Sequence, residues 1–255
     1  MAPAIGRETM EQLLRWTFLA ALVLAPVACW QRDNLPPQIE TLAPLASPPL
    51  QTPSRGEPFS VARNGVSYQI EPLFDYELHG LVVSARQHDG ERMLHERWND
   101  HLNVADLCVV WGSNTQALDL SAFEFYNGQF TCFFRTDDHA AWQQFDPYAL
   151  SNNHLLANDA YLRAQIDKVR VGDQIRLRGQ LANYSHGGGF QRGTSTTRND
   201  TGNGACETIY VRDLAILASM DNAWRSVFRL AWVALSLAGA GWLFGVLSGR
   251  FAHRV

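Results

Sequence analysis

Between Tyr184 and Gly204 the chain reads Tyr-Ser-His-Gly-Gly-Gly-Phe-Gln-Arg-Gly-Thr-Ser-Thr-Thr-Arg-Asn-Asp-Thr-Gly-Asn-Gly, its densest run of residues able to bind a ligand. Six Gly let a backbone approach a partner closely. Tyr184, His186 and Phe190 offer stacking surfaces, and Arg192 and Arg198 offer hydrogen-bond donors. A structureless loop of about 20 residues is unusual in a compact domain and is often functional. Two readings stand, a recognition loop and a flexible connector. As a recognition loop on an acidic domain, its two Arg would form a positive spot suited to a carboxylate-bearing partner.

Other chemistry has thinner support. Cys108, Cys132 and Cys206 lie in the same region, and in an oxidising compartment a pair should close. Three buried thiols are the alternative. No Cys-x-x-Cys points to redox catalysis. His95-Glu96 has no second His at the fifth position, so the zinc-protease pattern fails. Asp137-Asp138 before His139 reads as a helix cap, and Asp100-His101 as a solvated helix end. There is neither Gly-x-Ser-x-Gly nor a phosphate loop, and Lys168 is the sole lysine. No catalytic residue, metal or cofactor is assigned.

These residues are positioned by a run of predicted strands. Tyr76–Arg86 alternates, Asp106–Gly112 reads as a largely buried second strand, and Gly128–Arg135 as a third. Helical signal follows from His139 and again over Asn158–Val169, with a break around Pro147. Val171-Gly-Asp-Gln-Ile-Arg-Leu-Arg-Gly-Gln-Leu is a tight turn and a strand, and Glu207–Leu217 is the last. Three strands, a helix and two strands resemble the order of the OB-fold, a five-stranded Greek-key barrel. The Val-Gly-Asp-Gln-Ile-Arg-Leu-Arg-Gly segment is similar to the entry of the fourth strand of such barrels. The resemblance covers roughly residues 76–217 and implies that the 185–205 loop borders the binding face. It also implies that the third strand neighbours the second and the fifth, so that Cys132 could pair with Cys108 or with Cys206; Cys132–Cys206 is the pairing adopted, because it would tie down the long loop.

Two apolar stretches bracket this domain. Leu230–Gly249 runs without a charge between Arg229 and Arg250, the length that crosses about 30 Å of hydrocarbon. The first, Trp16–Trp30, contains Pro26 and follows Arg7 and Arg15. It is read as a retained anchor, with a cleaved signal peptide and lipidation at Cys29 as alternatives. Gly241, Gly245 and Gly249 lie four apart, a stripe on which another helix could pack. Seven Pro (36, 37, 44, 48, 49, 53 and 58) make the segment up to residue 65 an expected extended stalk.

The expected plan is a cytoplasmic N-terminus (1–12), an anchor (13–30), the stalk (31–65) and a mostly β, OB-like domain with helical inserts (66–220). A juxtamembrane piece (221–229), a transmembrane helix (230–249) and a cytoplasmic tail (250–255) follow. Residues 31–224 carry 15 basic and 23 acidic side chains, so nucleic acid is an unfavourable partner. The expectation is a two-span protein of the bacterial inner membrane with a periplasmic domain that serves interaction or assembly, with a protein partner or a second copy. The rivals are a hydrolase using His186 within the 185–207 loop and a periplasmic ligand or haem carrier. Membrane-anchored haem chaperones also place an OB barrel behind an anchor, but their C-terminal His-x-x-x-Tyr element is missing here.

Overall fold

The computed structural model describes residues 6–88, 93–128, 131–200, 206–249 and 251. It divides into one unit of residues up to Asn34 with those from Asp221 onward, and a second of Leu35–Met220. The elements are α1 (Arg7–Gln31), β1 (Leu50–Pro53), β2 (Phe59–Arg63), β3 (Val66–Gln87), α2 (Met93–Arg97), β4 (Asn103–Val110), β5 (Glu124–Asn127), β6 (Cys132–Arg135), α3 (His139–Gln144), β7 (Leu150–Leu156), α4 (Ala160–Ile166), β8 (Asp173–His186), β9 (Phe190–Arg192), β10 (Cys206–Ser219) and α5 (Ala223–Leu247). The fold is mostly β sheet, as expected, with a long apolar helix near each end.

In the second unit, β3 pairs with β4, β4 with β7, β7 with β10, β10 with β8, and β8 again with β3. The path is ring-like. Only β7 and β10 run parallel within it. The ring's inner face carries the core, including Leu107 and Val109 of β4, Leu155 of β7, Ile175 and Leu177 of β8 and Ile209 of β10. Gly179 is required where β8 meets β10, since a Cβ there would collide with the Tyr210 carbonyl. Gly172 holds φ +81° in the turn into β8, where an L side chain would be strained.

Three expectations are corrected here. Residues 128–135 are not a ring strand: β5 and β6 form their own two-stranded sheet, in which Phe125, Phe134 and Phe145 pack together. The third ring member is instead β7, Leu-Ser-Asn-Asn-His-Leu-Leu, which shows no apolar alternation yet is buried over residues 151–156. Its polar side chains find partners in place; Asn153 Nδ2, for example, donates to Leu107 O at 3.2 Å and to Ser151 Oγ at 2.8 Å, although Asn153 Oδ1 accepts no hydrogen bond. The Pro-rich segment is no free stalk. β1 and β2 both pair with β3, where Pro53 fits an edge strand, and Leu45 is fully buried.

In the first unit, α1 and α5 are each long and apolar enough to cross a membrane. They pack through Ala21, Ala25 and Ala231. Asn222 caps α5 and donates to the carbonyls of Gln31 and Arg32, so the end of α1 and the start of α5 are tied together. The glycine stripe serves this chain's own packing. Gly241 faces Leu14 of α1, Gly245 leaves room for the Phe251 ring, and Gly249 takes φ +65° at the helix end. Among the described residues, Gly241 of the three is set against a helix, α1.

Candidate functional site

Over its middle stretch the outer face of β4, β7 and β10 carries polar side chains. Strand alternation that sends Leu107, Val109, Leu155 and Ile209 inward sends Asp106, Cys108, Asn152, His154 and Cys206 outward. Register sets these residues in two rows. Asp106 lies opposite His154; next to that pair, Cys108 lies opposite Asn152, which is beside Cys206.

His154 Nδ1 lies 2.6 Å from Asp106 Oδ1, with both side chains buried. Burial alone would push the Asp106 carboxyl up. The His154 charge and hydrogen bond, aided by His88, override it and hold the group well below the usual carboxylate range. Burial likewise acts to lower His154, but the Asp106 charge and hydrogen bond win and raise it to about 9. Its remaining nitrogen, Nε2, lies 3.4 Å from Asn152 Nδ2, and the same amide nitrogen lies 3.6 Å from the Cys206 sulfur. A thiol, an imidazole and a carboxylate thus stand together, with Asn152 between the first two.

Cys206 opens onto a recess of about 260 Å³ lined by Cys132, Phe134, Tyr148, Asn152 and Asp200. On the opposite flank a second set of buried groups continues from Asp106. His88 Nε2 is 3.6 Å from Asp106 and stacks on His95 at 3.9 Å between ring centroids. His95 Nδ1 lies 3.0 Å from Asp100 Oδ2, and Tyr184 Oη donates to Asp100 Oδ1 at 2.8 Å. Asp100 is fully buried and not a solvated helix end.

The residues singled out in the 184–204 segment have other duties. Tyr184 is buried with its hydroxyl on Asp100. His186 donates from Nε2 to the Trp98 carbonyl at 2.8 Å and stacks on Phe190. Phe190–Arg192 is β9, paired with β8, so this part of the segment is a hairpin instead of a structureless loop. Arg192 Nη1 stands 4.0 Å from buried Asp100, and Arg198 ion-pairs with buried Glu207 while its guanidinium lies over Tyr76. The expected exposed positive spot is thus corrected: each Arg faces a desolvated carboxylate that needs a cation. Residues 201–205 of the expected loop lie outside the described residues.

The disulfide is also corrected. Cys132 is bonded to Cys108 and not to Cys206, with Cα atoms 5.7 Å apart. Cys108 points outward from β4 beneath the β5–β6 hairpin, which brings Cys132 over it. Asp138 does cap α3 as expected, accepting from the amides of Ala140 and Ala141. Among the described residues no group of three His, Cys, Asp or Glu is arranged to hold a metal ion. Sequence reasoning missed Asp106 and His154 because they lie 48 residues apart and meet only through strand register. Comparison with protein-family models, with curated proteins and with solved structures finds no match to this chain.

Proposed function

We propose that this chain is a membrane-anchored cysteine enzyme in which Cys206 is the nucleophile, His154 the general base and acid, and Asp106 the group that orients His154. The observation that carries the reading is the buried Asp106–His154 pair, set beside Cys206 through Asn152, at the edge of an open recess. The Cys206 thiolate adds to a carbonyl carbon of the substrate, and His154 gives its proton to the leaving group. The thioester formed on Cys206 is then cleaved by water or by a second nucleophile that His154 deprotonates. Asn152 Nδ2, 3.6 Å from the Cys206 sulfur, is placed to donate to the developing oxyanion. Phe134 and Tyr148 give the recess an apolar wall, which suits an acyl or peptide group.

The scaffold reading is an OB-like barrel held by two spans at the bacterial inner membrane, with the domain on the periplasmic side. The ring order, its single parallel pair and the placing of α4 between the third and fourth ring strands support the barrel. Trp16 and Trp30 on α1 stand about 21 Å apart at about 1.5 Å per residue, and Trp224 and Trp242 on α5 about 27 Å, spacings that suit interfacial belts. The Cys108–Cys132 disulfide favours an oxidising compartment. The rival reading, an assembly module that captures an acidic partner through Arg192 and Arg198, has less support because both face buried carboxylates.

An activated ester tests the reading. p-Nitrophenyl acetate should release a burst of nitrophenolate stoichiometric with protein and leave an acetyl group on Cys206, found by mass spectrometry. Cys206→Ala should abolish the burst, and His154→Ala should slow it by about 10²-fold or more. A burst that persists in Cys206→Ala would place the nucleophile elsewhere.

A further inference from the structure

The recess that presents Cys206 presents a second sulfur. Cys132 lines the same space, and its sulfur is bonded to Cys108. Cys108, Asn152 and Cys206 occupy one row across β4, β7 and β10, so Cys132 reaches over the sheet beside the thiol. Two amides flank these sulfurs. Asn127 Nδ2 donates to Cys108 Sγ at 3.2 Å and to Asn152 Oδ1 at 3.2 Å, while Asn152 Nδ2 lies 3.6 Å from Cys206 Sγ. Ser84 Oγ donates to Asn127 Oδ1 at 2.7 Å and fixes that amide's orientation.

Thiol–disulfide exchange needs a thiolate able to attack, a sulfur it can reach, and a leaving sulfur whose charge is stabilised. His154 serves the first need, the shared recess the second, and Asn127 the third. The mechanical demand is small. Cys132 sits on the β5–β6 hairpin, which hydrogen-bonds as its own sheet, so moving it breaks no pairing of the ring.

We propose that Cys206 exchanges with the Cys108–Cys132 disulfide, so that the protein interconverts between Cys108–Cys132 with a thiol at 206 and Cys132–Cys206 with a thiol at 108. The Cys206 thiolate attacks Cys132 Sγ and a new sulfur–sulfur bond forms. The bond to Cys108 breaks with its electron pair on Cys108 Sγ, which takes up the proton that left Cys206. One disulfide and one thiol are present before and after, so no oxidant or reductant is consumed. In the second arrangement the nucleophile is masked, and the remaining thiol is on fully buried Cys108. The inference rests on the reading of Cys206 as a thiol activated by His154, and it makes that site self-regulating.

Non-reducing peptide mapping of the full chain in detergent, in a Cys29→Ser background, tests it. After incubation at pH 8 without any redox couple and acid quenching, both Cys108–Cys132 and Cys132–Cys206 linked peptides are expected. His154→Ala should slow their interconversion at least tenfold. Cys108→Ser, whose fold is checked by circular dichroism, should form Cys132–Cys206 on treatment with diamide. Only Cys108–Cys132 at every time, together with two persistent thiols in folded, oxidised Cys108→Ser, overturns the exchange. The ester burst separates the two ideas: a burst without exchange sinks the inference alone, and exchange without a burst sinks the acyl chemistry alone.

Discussion

Two consecutive residues of β10 face opposite ways and stand at two different buried ion pairs, Cys206 beside one and Glu207 within the other. Cys206 looks outward to His154 and Asp106, while Glu207 turns toward the ring interior, where Arg198 meets it beside Tyr76. Both pairs place a carboxylate out of water. The outer one pairs it with an imidazole that can give up its proton, borders an open recess and carries a nucleophile. The inner one pairs it with a guanidinium that stays charged and also bonds the buried Tyr76 hydroxyl. Burial alone therefore does not mark a site; the cation's ability to titrate beside a nucleophile does.

The largest effect comes from breaking the inner pair. Arg198→Ala leaves Glu207 buried without its cation and should cost about 3 kcal/mol, roughly 6–12 °C in Tm, at pH 8. The deficit should shrink at pH 5, where Glu207 is protonated and carries no charge to bury. Cys206→Ser should change Tm little, because it is close in size and leaves the Asp106–His154 pair in place. Thermal unfolding of the full chain in detergent at both pH values checks the contrast. An equal loss in the two variants would erase the distinction between a structural pair and a chemical one.

The pH dependence of stability separates the pairs by window. Burial pushes the Glu207 carboxyl up to about 7 from an ordinary 4.5, against the pull of Arg198. Its contribution is therefore full below pH 4.5 and lost as pH rises through 7. His154 is raised from 6.5 to about 9, so its contribution is full below pH 6.5 and lost as pH rises through 9. Asp106 is depressed, so its share is present above pH 3.8 and lost as pH falls further. Glu207→Gln should flatten the stability profile between pH 4.5 and 7. Asp106→Asn should flatten it between 6.5 and 9 and bring the His154 titration, followed by NMR, down toward the ordinary imidazole range. A single shared window for both variants would mean that the two pairs titrate as one.

The same contrast explains what the sequence could reveal. Elements that depend on local patterning were legible: the two apolar helices, the alternation of β3, the Gly-Asp entry to β8 and the Asp138 cap. β7 was not, because Ser151, Asn152, Asn153 and His154 favour turns and exposed positions; here Asn153 bonds the Leu107 carbonyl of β4 and Ser151 beside it, His154 pairs with Asp106 of β4, and Asn152 reaches Cys206 of β10. The stalk misreading has a similar root, since Pro content says nothing of a neighbouring edge that accepts β1. The Arg-bearing segment was read by its charge, but that charge is spent on Asp100 and Glu207, whose burial no local pattern announces. Cys206 was noticed as a cysteine, though its partner is an imidazole set by register and not a second sulfur.

The smallest expected effect tests how far the outer pair extends. From Asp106 the buried groups continue through His88, His95 and Asp100 to the Tyr184 hydroxyl. Burial and the Asp100 charge both keep that phenol protonated, so Tyr184 acts as a fixed donor to a carboxylate that also holds His95. Tyr184→Phe removes one hydrogen bond and nothing else of comparable size, and should cost about 1–2 kcal/mol. Asp100 retains His95 and faces Arg192, so the His154 titration should stay where it is. Asp100 then serves the fold, and the chemistry ends at Asp106. A His154 midpoint that moves in Tyr184→Phe would instead make the whole line of acids and imidazoles one titrating unit, and the outer site would begin at Tyr184.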